Sequence, residues 1–193
     1  MLLLCLSIVQ AAPGPAPPLP DGHAKPSSSA LSAESVALIN DYLAHLQYQN
    51  KWDEKLTKDC DEKSGFYLVQ SKHDNYREDR LWEFQCRKVV SKCSDSPTCT
   101  KTESYINEFN EVISFMCGKN GYIAGVESYH DNSKEDRRWK FTCCSVPFYT
   151  TTDCRLTDYV NKLDGEMDFQ ADDDEVITGV FSYYSSRTRY ACA

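Results

Sequence analysis

The chain has 193 residues, 41% of them hydrophobic, with a formal net charge of −8 and a pI near 5.0. That length supports one ordinary core and is short for two large ones. The acidity, with no basic stripe along the sequence, argues against nucleic acid or anionic lipid as the main partner.

Residues 1–12, from Met1 to Ala12, form a short apolar run ending in small residues. This is the pattern of a secretory signal peptide, and it falls well short of the ~20 apolar residues that span a bilayer. Residues 13–31 are rich in Pro and Ser and read as an extended tether. Over residues 32–47, Val36, Ile39, Leu43 and Leu46 recur at helical spacing behind Ser32 as N-cap. That spacing predicts an amphipathic helix docked on the domain that follows.

The domain, residues 48–193, is one unit written three times, over approximately 48–104, 105–158 and 159–193. Cys60, His73, Asp74, Asp79, Arg80, Trp82 and Cys86 return 57 positions later as Cys117, His130, Asp131, Asp136, Arg137, Trp139 and Cys143. Tyr48-x-Asn50, Tyr105-x-Asn107 and Tyr159-x-Asn161 head the copies. The third copy is degenerate: Ala171 stands at its first cysteine position, and Ser185, Ser186 and Thr188 replace Asp, Arg and Trp. Three long repeats indicate one closed pseudo-threefold domain and not an open solenoid.

In the second copy, Tyr122–Tyr129 is a strand candidate and Arg138–Cys143 alternates with period two, which predicts a hairpin with Trp139, Phe141 and Cys143 on one face. Trp82, Phe84 and Cys86 do the same in the first copy. The fold class is therefore mainly β, with three hairpins in one disulfide-bonded domain. Repeat position pairs Cys60 with Cys86 and Cys117 with Cys143, each closing a loop worth roughly 3–4 kcal/mol. Once Cys5 leaves with the signal, Cys93, Cys99, Cys144, Cys154 and Cys192 remain as an odd set, compatible with self-association through a disulfide. Cys93 and Cys99 are too far apart for a zinc knuckle and no His-x₃₋₅-His pair follows, so no metal or other cofactor is expected.

Two readings compete at the repeated loops. His73, Asp74, His130 and Asp131 could meet a ligand, or could form turns whose Asp and Asn side chains hydrogen-bond the local backbone. Asp79, Arg80 and Trp82, with Asp136, Arg137 and Trp139, could rim a sugar or sulfate site. The structural alternative is an Asp–Arg pair that ties each hairpin above a core Trp, which fits the alternation better. No nucleophile elbow, zinc-protease, phosphate-loop or dinucleotide motif occurs, so no catalytic residue is assigned. The chain also contains no Asn-x-Ser/Thr sequon and no Arg-Gly-Asp.

The tract Asp-Arg-x-Trp-x-Phe-x-Cys at Asp79–Cys86 and Asp136–Cys143, followed by Cys144, resembles the repeated signature of the dermatopontin family. Gly165–Asp168 and the Tyr-x-Asn heads extend the likeness over roughly residues 45–193. The resemblance implies a small, acidic, disulfide-bonded and noncatalytic protein, secreted into extracellular matrix. It would bind matrix proteins, proteoglycans, glycans or cell surfaces, including those of mineralised matrix. Agglutinins and a cnidarian cytotoxin among invertebrate relatives add a carbohydrate-binding agglutinin as the alternative and a toxin as a weaker one. The lost third Asp-Arg-x-Trp departs from the pattern.

Overall fold

Alternation of apolar and polar side chains sets up two long hairpins. In the first, β3 (Ser64–Asp74) pairs with β4 (Asp79–Lys88); in the second, β7 (Tyr122–Asp131) pairs with β8 (Asp136–Ser145). The computed structural model describes residues 2–8, 32, 47–61, 63–89, 96–147 and 149–183. The helix expected over 32–47 therefore lies outside the described residues except at its ends. Shorter strands are β2 (Leu56–Asp59), β5 (Thr98–Lys101), β6 (Ile113–Met116), β9 (Thr152–Leu156) and β10 (Met167–Gln170). β11 (Glu175–Ser182) begins the third hairpin, and β1 (Leu2–Ile8) lies far upstream.

Three sheets result, in the orders β10-β3-β4, β2-β7-β8-β5 and β6-β11-β1-β9. Each short strand of one copy lies on the hairpin of the next. β2 of the first copy edges β7 of the second, β6 of the second edges β11 of the third, and β10 of the third returns to β3 of the first. The register repeats as well: Leu56 faces Ser128, Ile113 faces Ser182, and Met167 faces Ser71. A ladder that returns to its starting copy closes a ring.

Inside that ring the apolar faces meet in one core of Leu56, Phe66, Val69, Trp82, Phe84, Ile123, Val126, Trp139, Phe141, Met167 and Ile177, with others. Trp82 and Trp139 meet edge to face at 5.0 Å, each stacked on the Phe two residues on. Cys60–Cys86 and Cys117–Cys143 are disulfides with nearly equal Cα separations of 5.7 and 5.6 Å. Cys99–Cys144 joins β5 to β8, and Cys154 is disulfide-bonded too.

The Tyr-x-Asn heads of the first two copies act as clamps on β4 and β8. Asn50 Oδ1 accepts the Trp82 N–H at 2.8 Å and its Nδ2 donates to the Arg80 carbonyl at 2.9 Å. Asn107 repeats both bonds with Trp139 and Arg137, each at 2.9 Å. An asparagine with both an acceptor and a donor can pair with an extended strand as a third backbone would. Asn107→Ala leaves a buried N–H unmet and should cost about 1–3 kcal/mol. Urea unfolding with disulfides intact measures this, and an unchanged midpoint would contradict the clamp.

Candidate functional site

The repeated His-Asp and Asp-Arg residues flank the hairpin loops. Glu78 (φ 49°) and Glu135 (φ 52°) take left-handed backbone just before each Asp-Arg. Asp74 Oδ1 accepts the N–H groups of Tyr76 and Arg77 at 2.9 Å, and Asp131 Oδ1 accepts that of Ser133 at 2.8 Å. Both carboxylates close their own turns. The Arg77 N–H is the largest influence holding the Asp74 carboxyl below its usual range.

Asp79 draws partners from two copies. Its Oδ2 accepts the N–H of Asp53, in its own copy, at 2.8 Å. Arg137 of the second copy donates Nε to Oδ1 at 2.6 Å and Nη2 to Oδ2 at 2.7 Å, while Nη1 donates to the Glu54 carbonyl at 3.1 Å. The anticipated Asp–Arg tie within one hairpin is thus a tie between copies. Adjacent strand residues point to opposite faces, so Asp136 and Arg137 are poorly placed to pair with each other. His130 completes the joint, its side chain 1% exposed, with Nδ1 3.3 Å from Asp79 Oδ1 and Nε2 3.7 Å from Asp53 Oδ1.

The first copy makes half of the same joint with the third. Arg80 Nη1 donates to the Gly165 carbonyl at 3.0 Å, and His73 Nε2 lies 3.8 Å from Asp164 Oδ1. Asp164 and Gly165 stand at the third-copy positions of Asp53 and Glu54, and Asp164 shares the left-handed backbone of Asp53 (φ 55° and 62°). No Asp or Glu occurs between Glu175 and Ala193, so no third-copy carboxylate meets Arg80 as Asp79 meets Arg137. Burial, and then Arg80, push the His73 pKa down. On the other side Asp136 accepts the Asn110 N–H at 2.7 Å. Burial pushes its carboxyl up despite that bond.

Trp82 and Trp139 are 7% and 6% exposed, so neither ring is a platform for a pyranose. The repeated module is consumed in joining copies. What the loops display instead is varied. Tyr76 is 94% exposed at the tip of the first hairpin, beside Arg77, whose guanidinium lies 5.3 Å from the centre of the half-buried Trp52 ring. The second loop carries Ser133 and Lys134 at those positions. Sequence reasoning passed over Tyr76 and Arg77 because it weighted identity between copies, whereas the signal was their difference. No group of three or more His, Cys, Asp or Glu able to hold a metal ion occurs among the described residues. None of the helices there is long and apolar enough to cross a membrane.

Three interlocked β copies, bonded by disulfides and by a charged joint turned inward, define a class of small disulfide-bonded repeat proteins. The family model described as Dermatopontin matches residues 50–190, and the chain belongs to the dermatopontin family. It is 37% identical over 139 residues to the hemagglutinin/amebocyte aggregation factor of Limulus polyphemus, covering 71% of this chain and 78% of that protein. Dermatopontin of Biomphalaria glabrata is 37% identical over 118 residues, covering 60% of this chain and 75% of the relative. Millepora cytotoxin-1 of Millepora dichotoma is 28% identical over 110 residues, covering 57% and 48%. No solved structure matches the chain.

The two sister carboxylates should respond oppositely to neutralisation. Asp79→Asn strands the buried Arg137 guanidinium and should cost about 3–5 kcal/mol. Asp136→Asn keeps an acceptor for Asn110 while removing a charge that burial disfavours, so it should stabilise the chain slightly at pH 7; urea midpoints decide both. His73 supplies a pH test. Its lowered pKa means its contribution is present above the unfolded value of about 6.5 and is lost as pH falls through the folded value. His73→Gln should flatten the fall in urea midpoint below about pH 6.5, and an unchanged slope would exclude His73 as its source.

Proposed function

We propose that the protein is a secreted, noncatalytic interaction protein of the extracellular matrix, with residues 1–12 as the leader removed on export. It binds matrix proteins, proteoglycans or cell surfaces. The disulfides support an oxidising compartment, and the family supports a matrix setting. The observation that carries the reading is the division of labour within each hairpin. Asp79, Arg137, Trp82 and Trp139 are buried in holding copies together, while Tyr76 stands outward and Arg77 lies over Trp52. Tyr, Arg and Trp are the side chains that most often dominate binding energy at interfaces.

A carbohydrate-binding agglutinin is the second reading. It is favoured by the similarity to the Limulus polyphemus protein whose name includes hemagglutinin. The two readings separate on one panel of immobilised collagen, proteoglycan and free glycans, with erythrocyte agglutination alongside. Retention on collagen or proteoglycan without glycan binding or agglutination supports the matrix reading, and the reverse supports the agglutinin. The double variant Tyr76→Ala/Arg77→Ala should weaken whichever binding is found by roughly tenfold or more with its unfolding midpoint unchanged. Full binding by that variant would remove the loop from the contact surface.

A further inference from the structure

The two arginines of the repeated module are held differently. Arg137 engages its whole guanidinium: Nε and Nη2 donate to the Asp79 carboxylate, and Nη1 donates to the Glu54 carbonyl. Arg80, at the same repeat position, makes only the last of these bonds, from Nη1 to the Gly165 carbonyl at 3.0 Å. Among the described residues its Nε and Nη2 have no hydrogen-bond partner, and no carboxylate stands within ion-pair distance. The neighbouring histidines keep one orientation. His73 Nε2 lies 3.8 Å from Asp164 Oδ1, as His130 Nε2 lies 3.7 Å from Asp53 Oδ1. That orientation turns His130 Nδ1 to Asp79 at 3.3 Å, and it turns His73 Nδ1 to the corresponding place beside Arg80.

Two donors of a planar guanidinium and one imidazole nitrogen thus converge where the sister joint holds a carboxylate. The guanidinium is short of negative charge there: burial pulls its pKa down and outweighs the opposite pull of Asp164 and Asp79. The two places also differ in access. The side chains of Asp79 and His130 are each 1% exposed, whereas those of Asp164 and Glu78, beside His73, are 58% and 39% exposed. These surroundings select the kind of anion. Ionised Asp164 and Glu78 are acceptors only, so a polyanion meets repulsion from them and from a chain of net charge −8. A single carboxylate with hydroxyls on the adjoining carbons puts its charge on Arg80 and offers hydroxyl donors to those two carboxylates. That combination is a sugar acid. An acidic protein side chain carries its carboxylate on methylene groups and supplies no such donors.

We propose that Arg80 and His73, with Asp164 and Glu78 at the rim, bind the carboxylate of a sugar acid in the place that Asp79 fills against Arg137. Trp82 is buried and takes no part, so recognition runs through charge and hydroxyl groups and not through ring stacking. The proposal deepens the interaction reading given above and rests on it for the origin of the sugar, a glycan of matrix or cell surface.

The test uses the full chain with its disulfides formed, uniformly nitrogen-labelled for NMR, and follows the Nε–H resonances of its arginines. Sodium glucuronate is titrated beside glucose, sulfate and a blocked glutamate at constant ionic strength. The expected result is a saturable shift at Arg80 with a dissociation constant on the order of millimolar, the range for a ligand of that size. Arg137, already held by Asp79, should stay unmoved. Glucose, sulfate and glutamate should each require roughly tenfold higher concentration or more. Arg80→Lys keeps the charge and loses the fork, so it should weaken glucuronate by roughly tenfold, with the amide resonances of β7 and β8 unchanged. An Arg80 resonance unmoved by glucuronate overturns the proposal. An equal response to sulfate marks an unselective anion site, and one to blocked glutamate assigns the place to an acidic protein side chain; either overturns it equally. These outcomes leave the interaction reading standing. A shift at Arg80 without retention on collagen, proteoglycan or glycans overturns that reading alone.

Discussion

Edge pairing between copies is the constraint on which the other contacts depend. β2, β6 and β10 each lie on the hairpin of a neighbouring copy and not on their own. Because the offset is the same at every step, the third neighbour is the first copy again and each of these short strands is paired. Trp82 and Trp139 can then meet at 5.0 Å near the centre, and Arg137 can reach Asp79 across a boundary that sequence distance would hide. The disulfides act inside this frame. Cys60–Cys86 ties the end of β2 to its own hairpin while β2 itself lies on the next one, so the copies are linked as well as packed.

Within that frame the copies have diverged unevenly. The joint between the first and second copies keeps a dry, bidentate ion pair of a kind whose breaking is costly even where its net worth is small. The joint between the third and first keeps only the backbone half, Arg80 to Gly165 with His73 near Asp164. Retention of the carbonyl contact after loss of the carboxylate fits a role in placing loops as well as in balancing charge. The exposed loop tips diverge freely, from Tyr76-Arg77 to Ser133-Lys134, because their backbone turns are closed by Asp74 and Asp131 whatever side chains follow.

Much of the fold was legible because the repeat supplied an internal comparison. Period-two alternation around Trp139 and Phe141 gave the hairpin and its buried face, and a constant spacing of cysteines gave Cys60–Cys86 and Cys117–Cys143. Alternation within a strand says nothing about which hairpin a short segment will join, so the exchange of β2, β6 and β10 was hidden. Asp79–Arg137 was hidden for the same reason, since the neighbours Asp79 and Arg80 invite a local pairing that their opposite orientations prevent. The Tyr-x-Asn heads were visible as a pattern but not as clamps, because a side-chain amide that substitutes for backbone leaves no periodic trace. Cys99–Cys144 needed the β5–β8 register to appear.

The interlocked short strands also carry a consequence for truncation. A lone copy would offer a hairpin edge with nothing to cover it, a short strand with nothing to lie on, and an apolar face open to water. A hairpin of that size is marginal by itself in water. Cutting the chain between copies therefore exposes strand edges and apolar surface on both products.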